Sequence, residues 1–393
     1  MEVLEKLFRK KRKFVIGLMS GTSADGVDAV LLSVTGSGID TQYRQLAFAT
    51  YPYPKNFKRL LLKNSDAKTA RLDDIVRLNF LVAKFFAQSA RSIARRAGKR
   101  LTEIDLIGSH GQTIHHLPIY KEMFGKRVRG TLQIGHPSAI AKMTGIVTVG
   151  DFRIGDIAVG GTGAPLVPYF DYLMFRLQKH NRALLNIGGI SNITLLPANC
   201  SLQDVLAFDT GPGNIVIDGL MMKLYGRPFD KNGDIASKGS ILPTLLHWMA
   251  KHRYLQTKPP KSTGREVFGE VFINELLHRG RGEKRENLIA TATEFTPLCV
   301  YLNYIRFIRK KLKIDEFLVS GGGVHNTFLM NSLQRYFTEI KIKTTDQLGV
   351  HADAKEAICF AILANETIAG NPANIPGATG ASRSTVLGSI CLP

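Results

Sequence analysis

Short apolar runs alternate with glycine-rich turns along the chain, a pattern that predicts strands joined by tight connections. The runs FVIGLM (14–19) and AVLLSV (29–34) flank SGTSADGVD and predict a β-hairpin with an elaborate tip, followed by a third strand near residues 45–50. Apolar residues then recur at helical spacing over residues 73–97, which predicts a long amphipathic helix. LTEIDLIGSHGQT predicts a buried strand with a polar end, and TLQIGHPSAIAKMTG predicts a strand and a helix that ends at Gly145.

The pattern restarts in the second half of the chain, after a segment (147–168) that we expect to be a long glycine-rich loop. ALLNIGG, ISNITLL and VLAFDTGPGN predict strands around a second hairpin, followed by a helix at 215–225. Further helices are expected near 267–278, 286–311, 326–336 and 353–368, with strands at EFLVSGGG and STVLGSI. Because NIGGISNIT echoes the first hairpin, we predict two similar lobes, residues 1–150 completed by 370–393, and residues 151–369.

Composition narrows the class of protein. The 393 residues are 44% hydrophobic, enough for sizeable cores, and contain neither an apolar run of membrane-spanning length nor a signal-peptide pattern. The four cysteines lie far apart, so we expect neither a zinc site nor a disulfide framework. This pattern favours a cytoplasmic location. The net charge of +20 raises the possibility of nucleic-acid binding, but the basic residues are dispersed and no recognition motif accompanies them.

Three glycine-rich tips are candidates for binding phosphate. Small residues allow backbone N–H groups to approach an anion, and hydroxyl groups add donors. Asp25 could hold a hydrated Mg²⁺, while the absence of a Walker A motif means that hairpins must hold the phosphates. The alternative is that these glycines serve only turns and close packing. The tip residues are Ser20, Gly21, Thr22, Ser23, Ala24, Asp25 and Gly26, then Gly188 and Gly189, then Gly321, Gly322 and Gly323.

Asp209 is the leading candidate for a general base, because FDTGPGN places its carboxylate at the end of a buried strand and before a helix. A turn or helix-capping role is the alternative. Asp151 and Asp156 are rivals, although Arg153 between them suggests that one of the two is its ion-pair partner. Glu356 would ordinarily be only a favourable acid in a first helical turn. The histidines at 110, 115 and 116 lack a second ligand cluster and do not indicate a metal site.

Taken in order, these motifs resemble the anhydro-N-acetylmuramic acid kinases over nearly the whole chain, with FDTGPGN and GGTGAPLVP as the most specific. The resemblance implies an α/β, two-lobed actin-like ATPase fold, each lobe a mixed β-sheet flanked by helices, with ATP in the interlobe cleft. It implies conversion of 1,6-anhydro-N-acetylmuramate, ATP and water to N-acetylmuramate 6-phosphate and ADP, in peptidoglycan recycling, with Mg²⁺ as cofactor. It makes Asp209 the base that activates water. It adds Val27 and Asn192 to the phosphate-binding residues, and Thr113, Arg153 and Glu356 as substrate contacts.

The chain departs from the family pattern at Ile154 and Gly155, where further basic residues are common, and at Thr162 of GGTGAP. These changes would affect recognition of the sugar rather than the base. Alternatives are an actin-like ATPase with an assembly cycle, another amino-sugar kinase, and a nucleic-acid-binding protein. The expected partner is a small anhydro-amino-sugar, with neither a specific nucleic acid nor a membrane. The sequence leaves the oligomeric state open and is compatible with a homodimer.

Overall fold

The structure is a computed structural model that describes residues 2–21 and 24–393. Its strands are β1 (Arg12–Ser20), β2 (Gly26–Thr35), β3 (Gln42–Pro52), β4 (Leu106–Met123), β5 (Lys126–Ile134), β6 (Thr148–Gly150), β7 (Arg182–Ile187), β8 (Ile190–Leu196), β9 (Leu206–Pro212), β10 (Glu316–Ser320), β11 (Lys341–Thr344) and β12 (Ser389–Cys391).

The α-helices are α1 (Glu2–Arg9), α2 (Phe57–Ser65), α3 (Leu72–Arg96), α4 (Pro137–Thr144), α5 (Phe152–Ala158), α6 (Val167–Phe175), α7 (Ile215–Tyr225), α8 (Pro243–Ala250), α9 (Arg265–Phe268), α10 (Glu270–Arg279), α11 (Arg285–Asn303), α12 (Thr327–Tyr336), α13 (Lys355–Ala369) and α14 (Pro376–Thr379). No helix of the described residues is long and apolar enough to cross a membrane.

The chain divides into two compact units, and each unit is built on its own mixed sheet. The first comprises Met1–Met174 and Ala354–Pro393, and the second comprises Phe175–Asp353. In the first sheet β1, β2 and β3 pair antiparallel in turn, β4 runs parallel to β1, and β6 runs parallel to β4. The second sheet repeats this order with β7, β8, β9, β10 and β11. The predicted α/β class, with two mixed sheets flanked by helices, is therefore confirmed.

The first unit extends beyond both expected boundaries, from residue 150 to Met174 and from residue 370 back to Ala354. The second of these shifts arises because α13 packs against the first sheet. A Cβ atom at Gly17 on β1 would collide with the carbonyl oxygen of Ala357, and one at Gly108 on β4 would collide with that of Phe360. These glycines let the helix lie close against the strands. This contact brings α13 into the first unit, where most of its residues are buried.

Several elements differ from the sequence-based expectation. The expected loop at 147–168 contains β6, α5 and the start of α6, so only its glycine-rich part is irregular. The helix expected at 267–278 is split in two at Gly269. The long helix expected at 286–311 ends at Asn303 and continues as a single π-helical segment, Tyr304–Ile308. Of the last predicted strand, only β12 pairs, with β6.

Candidate active site

Asp209 lies on β9 of the second unit, partly buried, where the buried strand gives way to the glycines that precede α7. Its Oδ2 accepts a hydrogen bond from the backbone N–H of Thr263 at 2.9 Å. Its own N–H donates to the carbonyl oxygen of Lys261 at 3.0 Å. The described residues donate no hydrogen bond to Oδ1, so this oxygen is the one free to accept a proton from a bound molecule.

Burial raises the pKa of Asp209 to about 7, the hydrogen bond from Thr263 opposing this shift and the negative charge of Glu266 adding to it. Carboxylates in such an environment can both ionise and accept a proton near neutral pH, as a general base requires. Lys261 lies close enough for its positive charge to favour ionised Asp209, and burial lowers the pKa of this lysine to about 8.

The second glycine tip, Gly188 and Gly189, is fixed directly to the segment that follows Asp209. The N–H groups of Gly213 and Ile215 donate to the carbonyl oxygen of Gly189 at 2.9 and 3.0 Å, and that of Asn214 donates to Gly188 at 2.8 Å. A Cβ at Gly213 would collide with the Gly188 carbonyl oxygen, so a larger residue could not occupy this position without moving the tip.

The third glycine tip packs against the end of β7, beside the second. Gly321 has a φ of +83°, and a Cβ there would lie 2.6 Å from Asn186 Oδ1 and 2.7 Å from the Ile187 carbonyl oxygen. A Cβ at Gly323 would collide with the Ile187 side chain, whereas the nearest atom to one at Gly322 is 3.9 Å away. The second unit therefore brings Gly188, Gly189 and the triglycine segment together near β9.

Asn192 lies on β8 directly opposite Asp209 on β9 and opposite Asn186 on β7. Directly opposed residues of neighbouring strands place their side chains on the same face of a sheet. The carboxamides of these two asparagines therefore share a face with the Asp209 carboxylate. Such groups can donate hydrogen bonds to phosphate oxygens or to a water molecule.

The first tip lies in the other unit, between β1 and β2. Ser20 is buried, and its hydroxyl contacts the Gly26 carbonyl oxygen at 2.8 Å and Gln112 Oε1 at 2.6 Å. Ala24 adopts a φ of +54°, and its N–H donates to the carbonyl oxygen of Gly21 at 3.0 Å. Val27 is buried on β2. Thr22 and Ser23, which we also predicted to bind phosphate, lie outside the described residues.

Asp25, the predicted ligand of hydrated Mg²⁺, is exposed, and its Oδ1 lies 2.5 Å from Nζ of Lys58 on α2. No group of three or more His, Cys, Asp or Glu side chains able to hold a metal occurs in the described part of the chain. A single carboxylate at this tip suits a magnesium ion that keeps its water molecules and is held chiefly by phosphate oxygens.

Arg153, a predicted substrate contact, lies at the start of α5 in the first unit. Its Nε donates to Nε2 of His110 at 3.0 Å, and its Nη1 donates to the Gly163 carbonyl oxygen at 2.7 Å. Burial, with the positive charge of Arg153, lowers the pKa of His110 well below its usual value. The neutral ring accepts from Arg153 at Nε2 and donates from Nδ1 to the carbonyl oxygen of Gly111, 3.0 Å away. The guanidinium group is thus held in one orientation.

The prediction that Arg153 forms an ion pair with Asp151 or Asp156 is wrong, because neither pair occurs among the described residues. Asp156 is fully buried, and its Oδ2 accepts from the N–H of Gly163 at 2.8 Å while its Oδ1 accepts from Asn374 and Thr379. Its oxygens are used to anchor the glycine-rich loop, and this excludes it as a rival base.

Glu356 lies in the first turn of α13, and its negative charge acts on Arg153. Burial, together with the charge of Asp28, raises the pKa of Glu356. Thr113, the third predicted substrate contact, accepts a bond from Gln133 at 3.3 Å, and Gln133 also donates to Thr131. The first unit therefore contains Arg153 and Glu356 as an electrostatically linked pair, with Thr113 on the adjoining β4–β5 hairpin.

Two residues that hold Asp209 in place, Lys261 and Thr263, were not predicted from the sequence. They belong to the segment PPKSTG (259–264), whose prolines and small polar residues could have been recognised as a functional loop. Nothing in the sequence alone connects this segment to a strand some fifty residues earlier. The connection comes from hydrogen bonds between segments distant in sequence, which local patterns do not predict.

Comparison with known proteins decides the family. A family model described as anhydro-N-acetylmuramic acid kinase matches residues 13–393. Proteins of that name from Caldanaerobacter subterraneus and Salinibacter ruber are 44% and 45% identical, each match covering 100% of both chains. One from Clostridioides difficile is 43% identical over 96% of this chain and 98% of its own.

The chain belongs to the anhydro-N-acetylmuramic acid kinase family. Membership confirms the resemblance drawn from the motifs, and with it the expected enzyme class, a kinase that uses ATP. The match begins at residue 13, so most of the basic N-terminal segment with α1 precedes the part that defines the anhydro-N-acetylmuramic acid kinase family.

Proposed function

We propose that this enzyme opens 1,6-anhydro-N-acetylmuramate with water and phosphorylates O6 from ATP, giving N-acetylmuramate 6-phosphate and ADP. The observation that carries the proposal is the carboxylate of Asp209, partly buried, free at Oδ1, and adjacent to glycine tips suited to phosphate. Family membership supports the choice of sugar and of donor. The product would belong to the breakdown and reuse of cell-wall fragments, in the cytoplasm.

The proposed chemistry needs one base. Asp209 accepts a proton from water as the water oxygen forms a bond to the anomeric carbon. The bond from this carbon to the bridging O6 breaks, and its electron pair attacks the γ-phosphorus, releasing ADP. Because the phosphoryl group captures the leaving oxygen, the second carboxylic acid used by an inverting glycosidase is not required. Atoms and charge balance with one water consumed and one proton left on Asp209.

We assign phosphate binding to the tip residues and to Asn192, which shares the sheet face of Asp209. Magnesium, held by phosphate oxygens and through water by Asp25, would neutralise charge on the transferred group. Arg153 and Glu356, with Thr113, would bind the sugar. The fixed guanidinium of Arg153 suits an oxygen-rich substrate, because its orientation needs no further ordering on binding.

The test is product analysis after incubation with the anhydro-sugar, Mg-ATP and water enriched in ¹⁸O. We expect ADP and a sugar phosphate in equal amounts, with the label on the anomeric oxygen and phosphate on O6. ATP turnover that does not require the sugar would favour the actin-like ATPase alternative. Phosphorylation only of sugars with an open 6-hydroxyl would favour another amino-sugar kinase.

A further inference from the structure

Residues 254–263 form a segment that makes three hydrogen bonds to Asp209. The hydroxyl of Tyr254 donates to the Asp209 carbonyl oxygen at 2.7 Å. The N–H of Asp209 donates to the carbonyl of Lys261 at 3.0 Å, and that of Thr263 donates to Oδ2 at 2.9 Å. The main chain and one carboxylate oxygen of the base are therefore fixed by residues from a different part of the chain.

The side chain of Lys261 links the two ends of this segment by contacting Tyr254. Its Nζ donates to the carbonyl oxygen of Tyr254 at 3.2 Å, and it lies 4.6 Å from the centre of the Tyr254 ring and 5.0 Å from that of Phe307. The ammonium group is partly buried and makes no ion pair with the carboxylates of the described residues. Burying a cation in this way costs free energy, so an apolar side chain would serve packing better.

The charges around Asp209 come from several elements, and Lys261 is the cation among those that act on it directly. Glu266 on α9 opposes Lys261 by favouring the protonated acid. The hydroxyl of Tyr254 interacts with the charges of Asp209 and Glu266, whereas Cys299 and the positive charge of Arg306 act on Lys261. Removing the positive charge of Lys261 would leave only the hydrogen bond from Thr263 to oppose the effects of burial and of Glu266 on the base.

We infer that Lys261 is a positioning residue for Asp209, which holds the segment that restrains Oδ2 and favours the ionised carboxylate, so that Oδ1 accepts the proton from water. This inference rests on the proposed function, but its geometry does not depend on which sugar binds. Lys261 acts through Asp209 and the Tyr254 carbonyl and has no assigned contact with substrate.

The test compares three variants of the full chain. Lys261→Met removes the charge and the hydrogen-bond donor, and Lys261→Gln removes the charge but keeps a donor. Both should move the acidic limb of kcat/KM to higher pH by on the order of 0.5–1 unit, because the ionised base loses a nearby cation. Lys258→Met, an exposed lysine on the same segment, is the matched control and should leave the profile unchanged.

A second measurement needs no substrate. Titration of protein labelled with ¹³C at the aspartate carboxyl carbon, with the Asp209 signal identified by its loss in Asp209→Asn, should show the same upward shift in both Lys261 variants. An unchanged Asp209 midpoint in a folded Lys261→Met or Lys261→Gln protein would overturn the inference. Failure of the wild-type enzyme to convert the anhydro-sugar would instead overturn the proposed function, while the titration still decides the role of Lys261.

Discussion

The rate of the proposed reaction should depend on pH through Asp209. With burial raising the pKa of this carboxyl to about 7, about a tenth of the enzyme has it ionised at pH 6 and about nine tenths at pH 8. Only the ionised form can take a proton from water. We therefore expect kcat/KM for the sugar, measured at saturating Mg-ATP, to rise about tenfold between these pH values.

The replacement Asp209→Asn tests the same reasoning, since it keeps the shape of the side chain and an oxygen for the Thr263 N–H bond. Loss of a general base typically costs about 10²–10⁴-fold in rate, and the residual activity should no longer rise between pH 6 and 8. Calorimetric titration with ATP provides the control, because nucleotide affinity should stay close to that of the wild type. A wild-type rate that is flat over this range, or a variant with near-normal turnover, would refute the assignment.

Other expected outcomes concern stability and binding. Because the folded pKa of Asp209 lies above its unfolded value, the contribution of this carboxyl to the free energy of unfolding falls as pH rises from about 4 to 7. In thermal unfolding, Asp209→Asn should therefore have a higher Tm than the wild type at pH 8 but not at pH 4. Gly321→Ala should lower the free energy of unfolding by about 1–3 kcal/mol in denaturant titration, because its φ is positive and its Cβ would contact the Ile187 carbonyl. Gly322→Ala should leave the free energy of unfolding nearly unchanged, because a Cβ there meets no protein atom closer than 3.9 Å. Arg153→Lys should raise KM for the sugar about tenfold or more with little change for ATP in initial-rate kinetics, since a lysine cannot make both guanidinium bonds.

Much of the fold follows from local patterns. The hairpins β1–β2 and β7–β8 were predicted because apolar runs flank glycine-rich turns, and α3 because its apolar residues repeat at helical spacing. The position of α13 was not predictable in this way. Its place against β1 depends on close approach at Gly17, a tertiary contact between residues some 340 positions apart.

In the candidate site too, local sequence patterns predict some residues, whereas others depend on tertiary contacts. Asp209 and the glycine tips could be proposed from the sequence because strand ends with acidic or small residues are typical of functional sites, and their catalytic and phosphate-binding roles stay predictions. The pairing of Arg153 with an aspartate was wrong, because Asp156 already satisfies its oxygens on the loop and His110 provides the partner instead. Thr263 was missed because its function lies in a backbone N–H group, which every residue other than proline possesses.

The position of ¹⁸O after one round of turnover in labelled water distinguishes attack of water on the sugar from attack of water on ATP. If Asp209 activates water to attack the anomeric carbon, the label appears on the anomeric oxygen of N-acetylmuramate 6-phosphate, and the phosphate on O6 carries none. Label in released inorganic phosphate, with the anhydro-sugar intact, would show that water attacks ATP instead and that Asp209 does not activate water for opening of the sugar.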